Sequence, residues 1–204
     1  AVVAVTEGPT GAIIGQNADP ARFAWSVPVV LVGGQDQARL RAAAEQGEAV
    51  VVRSVGTLRP DASASNLVAR RPGVGKTVVV STPKSGWFAC AGERGSGMAI
   101  FLAVAATLTQ QKDLDLLFLV TSGHEIEGLG GRHFIESTAP KPEQVRLWLH
   151  IGANVACDAL DLTGGAPRAV GKPTQRRGLL ATAALQPSIR EQFAGQAGYA
   201  TPVD

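Results

Sequence analysis

Short apolar blocks separated by glycine, proline and polar residues run along the whole chain, and their periods divide it in two. Residues 1–6 form a β-type run that closes at the turn signal Glu7-Gly8-Pro9. A second strand is expected over residues 27–32, with Pro28 marking an edge or a strand start. Asp36 is placed to cap a helix over residues 37–46. Leu40, Ala43 and Ala44 give that helix an apolar stripe, and Gly47 ends it. Residues 49–53 read as a third strand. Residues 59–65, with Pro60, Asp61 and three small residues, read as a linker. The expectation is a small β-rich unit over residues 1–65, without a cluster of titratable groups.

Residues 66–204 read differently. Valines over residues 77–81 predict a strand, and residues 97–109 a helix apolar nearly all round, hence buried on most sides. Residues 114–121 are a continuous apolar run, the pattern of a strand covered on both faces. A second helix is expected over residues 126–137, a third strand over 145–151 and a later helix over 187–197, with Pro187 in its first turn. Strand–helix–strand–helix–strand at these lengths implies parallel crossovers. The predicted fold class is therefore α/β, a mixed, mostly parallel sheet with helices on both faces.

Composition narrows the function. Hydrophobic residues make up 45% and charged residues 18%, which excludes a disordered chain and leaves ample material for a core. The net charge of +2 provides no electrostatic footprint for nucleic acid or anionic lipid. Aromatics at 5% make a base-stacking surface an equally poor reading. The longest apolar stretch, about 12 residues over 97–108, is too short to span a bilayer. No signal peptide is visible. The chain opens inside an apolar run and stops without an obvious finish, the pattern of a fragment or processed piece. Cys90 and Cys157 define neither a disulfide framework nor a cysteine zinc site. They read as small buried residues, or as one bridge if the fold joins them.

Ligands of open α/β sheets bind at the carboxyl ends of the strands. Three segments fall there: Thr82-Pro83-Lys84-Ser85 continuing to Gly92-Glu93-Arg94-Gly95-Ser96-Gly97, Ser122-Gly123-His124-Glu125-Ile126-Glu127-Gly128, and His150-Ile151-Gly152-Ala153-Asn154. His124, His150 and three glutamates are thereby directed to one rim, while His133 falls inside a helix and reads as a surface residue. Gly75-Lys76-Thr77 imitates the end of a phosphate-binding loop, but Arg70 stands where its first glycine belongs and a strand follows, so it reads as a turn. His124-Glu125 lacks the second histidine of a zinc-protease helix, because Gly128 occupies that place. Ser96 lacks the flanking glycines of a nucleophile elbow. Glu125 and Glu127 also flank a helix start, where the dipole alone favours carboxylates.

Asn66-Leu67-Val68-Ala69-Arg70, the valine strand, the glycine-rich stretch from Gly92 to Gly97 leading into an apolar helix, the strand over 114–121, and Gly123-His124-Glu125-Ile126-Glu127-Gly128-Leu129-Gly130 together resemble the co-catalytic zinc aminopeptidase family. That family includes secreted bacterial aminopeptidases, with glutamate carboxypeptidase and transferrin receptor as distant relatives. The resemblance covers about residues 66–160. Residues 1–60 are similar to the protease-associated domain inserted in many members. What the resemblance implies is a zinc-exopeptidase fold, peptide cleavage at a two-zinc site, and a secreted or periplasmic location.

Carried over residue by residue, the metal site is degenerate. The family's His-x-Asp, whose aspartate bridges two metals, falls on Thr82-Pro83-Lys84. The next aspartate ligand falls on Glu93, followed by Arg94. Glu125 matches the general base, but Ile126 stands where the following glutamate ligand belongs. The aspartate that closes the third strand falls near His150, and the last histidine lies further downstream than this stretch. Two zinc ions carry four positive charges that anionic ligands must offset. Lys84 in place of a bridging carboxylate adds a unit charge worth about 4 kcal/mol at 4 Å and an effective dielectric of 20. The expectation is a catalytically inactive fold, without cofactor, that binds a peptide or protein or serves assembly. Lys84 or Arg94 then supplies the positive charge and pairs with Glu93 or Glu125, the alternative being that Lys84 points to solvent. Thr82, Ile126 and Asn154 complete the lining. The competing reading is an active hydrolase whose single zinc is held by Glu93, His124 and His150, with Glu125 as general base. A third reading is a binding module whose contact surface is residues 1–65.

Overall fold

A computed structural model describes residues 1–8, 10–15, 26–53, 55, 57, 59, 61–87, 89–152, 155, 158–163, 167–173 and 178–196. Near the N-terminus, β1 (Val2–Thr6) and β2 (Val29–Gly33) pair in parallel, Val2 opposite Val29 through Thr6 opposite Gly33. The Thr6 hydroxyl ties this pair together, donating to the Val32 carbonyl at 3.0 Å and accepting from the Ile14 N–H at 3.1 Å. A 3-10 turn at Gly34–Asp36 leads into α1 (Gln37–Glu45), and Gly47 ends it in the left-handed region at φ +66°. Asp36 stands at the cap position but makes no side-chain cap bond.

The third strand expected over residues 49–53 does not form: those residues are exposed and carry no strand pairing. A valine run is a strand only where a neighbouring strand and a packed face receive it, and here neither does. All ten buried apolar side chains among the described residues lie between Val78 and Ile151. Each contributes about 1.5–3 kcal/mol, so the thermodynamic core belongs to the second part of the chain.

That part begins with β3 (Leu67–Arg71) and β4 (Val74–Pro83), continues through α2 (Ser96–Leu108), β5 (Leu114–Thr121), α3 (Leu129–Ser137) and β6 (Val145–His150), and ends in a hairpin of β7 (Asp158–Asp161) with β8 (Arg168–Pro173) and a short α4 (Gln186–Gln192). The main sheet is mixed, ordered β3-β5-β4-β6, with β4 parallel to β5 and β6 and with β3 antiparallel to β5.

Alternation along the strands builds two cores. Val79, Leu117 and Leu119 meet Phe134 of α3 on one face, with Trp148 set edge-on to Phe134 at 6.3 Å. Val80 and Val120 meet Phe101 of α2 on the other face, with Phe118 edge-on to Phe101 at 6.1 Å. The chain therefore leaves β4 toward one face and β5 toward the opposite face. Adjacent parallel strands whose exits diverge leave a crevice between their carboxyl ends, the usual ligand position in such sheets.

Two expectations are corrected. α2 is covered on one side only: Gly97 and Phe101 are buried, while Ala99, Leu102, Ala103 and Ala106 are exposed. α3 starts at Leu129 rather than 126, because Glu127 (φ +48°) and Gly128 (φ +66°) take left-handed conformations and hold residues 124–128 in turns. The 187–197 helix shortens to α4, and His133 is exposed as expected. Among the described residues, no helix is long and apolar enough to cross a membrane.

Candidate functional site at the carboxyl ends of the strands

The crevice between the ends of β4 and β5 is built by backbone first. The Lys84 N–H donates to the Thr121 carbonyl at 2.8 Å, prolonging the β4–β5 ladder past Pro83. Asn66, which no motif singles out for a role, locks the far side. Its amide donates to the Gly130 carbonyl at 2.8 Å, and its oxygen accepts from the Ser122 N–H at 3.1 Å. A β-carbon on Gly130 would sit 2.4 Å from both the Asn66 Oδ1 and the Ser122 carbonyl oxygen, so only glycine fits there. The approach is equally tight where α2 begins. A β-carbon on Gly97 would lie 2.4 Å from the Gly152 carbonyl oxygen.

Between β4 and α2 the chain makes a π-helical turn, Ala91–Gly95, preceded by Cys90 in the left-handed region at φ +47°. This turn carries Arg94 inward, and the side chain is only 6% exposed. Its Nε donates to the Ser85 carbonyl at 2.6 Å. Its Nη2 lies 3.1 Å from Glu125 Oε1 and 2.9 Å from Glu93 Oε1. Glu93 also accepts from the Cys90 thiol at 3.2 Å. Gly86 makes room for this knot, since a β-carbon there would be 2.3 Å from Cys90 Sγ and 3.0 Å from Arg94 Cγ. The Ser85 hydroxyl completes it, accepting from the His124 N–H at 2.9 Å and bonding to the Glu125 carboxylate.

Electrostatics follow from these contacts. Burial pushes the Glu125 pKa up, but the Ser85 hydroxyl, the residue's own N–H and the Arg94 guanidinium outweigh it and hold the carboxyl below the ordinary glutamate range. Burial raises the Cys90 pKa, and hydrogen bonding to Glu93 and that residue's charge raise it further, so the thiol is neutral at pH 7. His150 Nδ1 sits 2.9 Å from Ser81 Oγ, which also accepts from Trp148 Nε1 at 2.8 Å. Desolvation against the sheet lowers the His150 pKa, and the charges of His124 and Arg94 lower it further.

Of the residues singled out in sequence, Glu93, Arg94 and Glu125 join one ion-pair network. Lys84 does not join it; its side chain is exposed, one residue past the end of β4 and its buried Thr82 and Pro83. Ile126 is 40% exposed at the rim, and Glu127 is exposed beside it. Neither glutamate lies in the first turn of α3, so the helix dipole does not account for them. Asn154 and Cys157 lie outside the described residues; Cys90 is a half-buried free thiol. The zinc set expected from Glu93, His124 and His150 is not brought together: among the described residues, no three His, Cys, Asp or Glu side chains are grouped to hold a metal ion. Glu93 turns toward Arg94 and Cys90, whereas His150 turns toward Ser81.

Thr82, expected in the lining, carries one property that has no sequence signal. Among the described residues its hydroxyl has no hydrogen-bond partner, and it is buried in a residue 1% exposed at the end of β4. No protein-family model, curated protein or solved structure matches this chain.

Proposed function

We propose that residues 66–204 form a domain of the zinc-aminopeptidase type whose metal site is degenerate, and that the chain binds or assembles with a peptide or protein rather than cleaving it. The observation that carries this reading is the Arg94 guanidinium, buried between Glu93 and Glu125 at the crevice. A cation at that point supplies, from within the chain, the positive charge that two acidic side chains require. It also occupies the glutamate that the family resemblance marks as general base. A carboxylate engaged with a guanidinium and held acidic is a poor proton acceptor for water at neutral pH. The protease-associated-like segment over residues 1–65 then offers additional contact surface. The competing reading, a single-zinc hydrolase, requires Glu93 to leave both Arg94 and Cys90.

Calorimetric zinc titration of the full chain, paired with an aminoacyl-nitroanilide assay, tests the proposal. The expected outcome is no tight zinc binding and no hydrolysis. Zinc bound tightly at two sites, with nitroaniline release abolished in Glu125→Gln, would overturn it.

A further inference from the structure

At the opposite end of the sheet from the crevice lies a second feature, independent of the reading above. A cavity of about 690 Å³ opens at the amino ends of β4 and β5, on the α3 face. This lies within the range of small-molecule sites, about 300–1,000 Å³. Its floor is Thr77, Asp115 and Leu117, and the connection from α3 to β6 forms the facing wall.

The strand is broken where it lines this cavity. The β4–β5 register slips between Val74 and Val78, and the β4–β6 register slips between Thr77 and Val78. Irregularities of this kind re-aim side chains and concentrate beside binding sites. Here the slipped residues are Gly75, Lys76 and Thr77. Gly75 is left-handed at φ +83°, and a β-carbon there would meet nothing within 4 Å, so the backbone faces open space.

The charges in the lining are arranged by their partners. Asp115 is buried and already saturated: it accepts from Thr77 Oγ1 at 2.5 Å, from the Gly73 N–H at 3.2 Å and from Arg70 Nη2 at 3.3 Å. The Thr77 bond is the largest cause of its lowered pKa, so it stays ionised as a fixed anchor. It steadies the Arg70 guanidinium at the cavity wall, in a side chain that is 59% exposed. Lys76 and Glu143 also line the cavity, and among the described residues no ion pair engages either. Once Asp115 has offset Arg70, Lys76 and Glu143 are the cation and the anion of the lining that no ion pair engages among the described residues.

The geometry points to this cavity as a binding site for a small zwitterion, a free amino acid, whose carboxylate sits against Lys76 and Arg70 and whose ammonium faces Glu143. Leu117, Ala139 and Pro140 give it an apolar patch suited to an aliphatic side chain. A simple anion would leave Glu143 opposed, and a simple cation would leave Lys76 opposed; only a ligand with both signs satisfies the two.

Calorimetry of the full chain with L-leucine, L-leucinamide and N-acetyl-L-leucine tests this. L-Leucine binds, and each blocked analogue binds at least about tenfold more weakly, the loss of one ion pair in a partly enclosed site. Lys76→Gln shrinks the difference between leucine and leucinamide, Arg70 keeping the remainder, and Glu143→Gln removes that between leucine and N-acetyl-leucine. Both residues are exposed, so unchanged melting shows that the variants fold. Equal binding of all three ligands, absence of heat up to about 10 mM leucine, or leucine binding that survives both substitutions and is lost in Arg94→Met would overturn the assignment.

Discussion

Replacing Arg94 by methionine keeps most of the side-chain volume and removes the charge from a residue 6% exposed. Glu125, 11% exposed at the side chain, then keeps its bond to Ser85 but loses its ion pair. Glu93 is 43% exposed and recovers much of its hydration. Removing one member of a buried ion pair costs about 3–5 kcal/mol, because the remaining charge stays desolvated. Only one of the two carboxylates is stranded here, so the low end applies, about 3 kcal/mol. For a chain of this size that corresponds to a melting temperature lower by about 6–12 °C.

The pH dependence separates this mechanism from simple loss of packing. In the parent protein the Glu125 pKa is depressed. Its contribution is therefore complete above the unfolded glutamate value, about 4.3, and is lost as pH falls through the folded value. In Arg94→Met, burial dominates and the Glu125 pKa rises, so protonation relieves the stranded charge. The difference between the two proteins should shrink between pH 7 and pH 4. Urea unfolding of Arg94→Met, Glu125→Gln and the double variant measures both effects. The double variant should be less destabilised than the sum of the singles by about 1 kcal/mol or more. A cost below about 0.5 kcal/mol, the range of ordinary surface substitutions, or a cost unchanged with pH, would refute the reasoning.

Thr82→Val removes a buried hydroxyl that has no partner among the described residues while conserving shape, and should raise unfolding free energy by about 1 kcal/mol in urea titration; a loss instead would show that the hydroxyl is bonded. Gly97→Ala gains about 1 kcal/mol of helix propensity, but it forces a β-carbon to 2.4 Å from the Gly152 carbonyl oxygen. The clash wins, and thermal melting should show a net loss of about 1–3 kcal/mol. The His150 pKa is lowered, so the unfolded chain binds the extra proton first. Stability should be full above the ordinary value of about 6.5 and should decline as pH falls through the folded value. An NMR titration of the His150 ring with its midpoint at or above 6.5 would contradict this.

The parts of the fold that were legible in sequence are those whose pattern is independent of distant partners. The run over 114–121 became β5 at those bounds, and the apolar stretch over 97–109 became α2 within one residue. What failed was burial and pairing, which depend on what arrives from elsewhere. Alanine-rich α2 has no polar face to announce its exposed side, so a one-sided helix looked buried all round. The valines of 49–53 had strand propensity but received no neighbour. At the crevice the residue types were readable, and the open question was which cation meets the acids. Lys84 and Arg94 are equivalent in charge, and they differ in the backbone beneath them. Lys84 lies one residue past the end of β4, beyond the buried Thr82 and Pro83, and its side chain is exposed. Arg94 rides on a π-helical turn that contains Gly92 and Gly95, and the small Gly86 leaves space for its stem to pass inward. Glu125 lies 31 residues away along the chain, held at the same point by Ser85 and by turns that delay α3. The pairing was thus decided by backbone direction and by the absence of one β-carbon, and neither is visible as charge pattern or spacing.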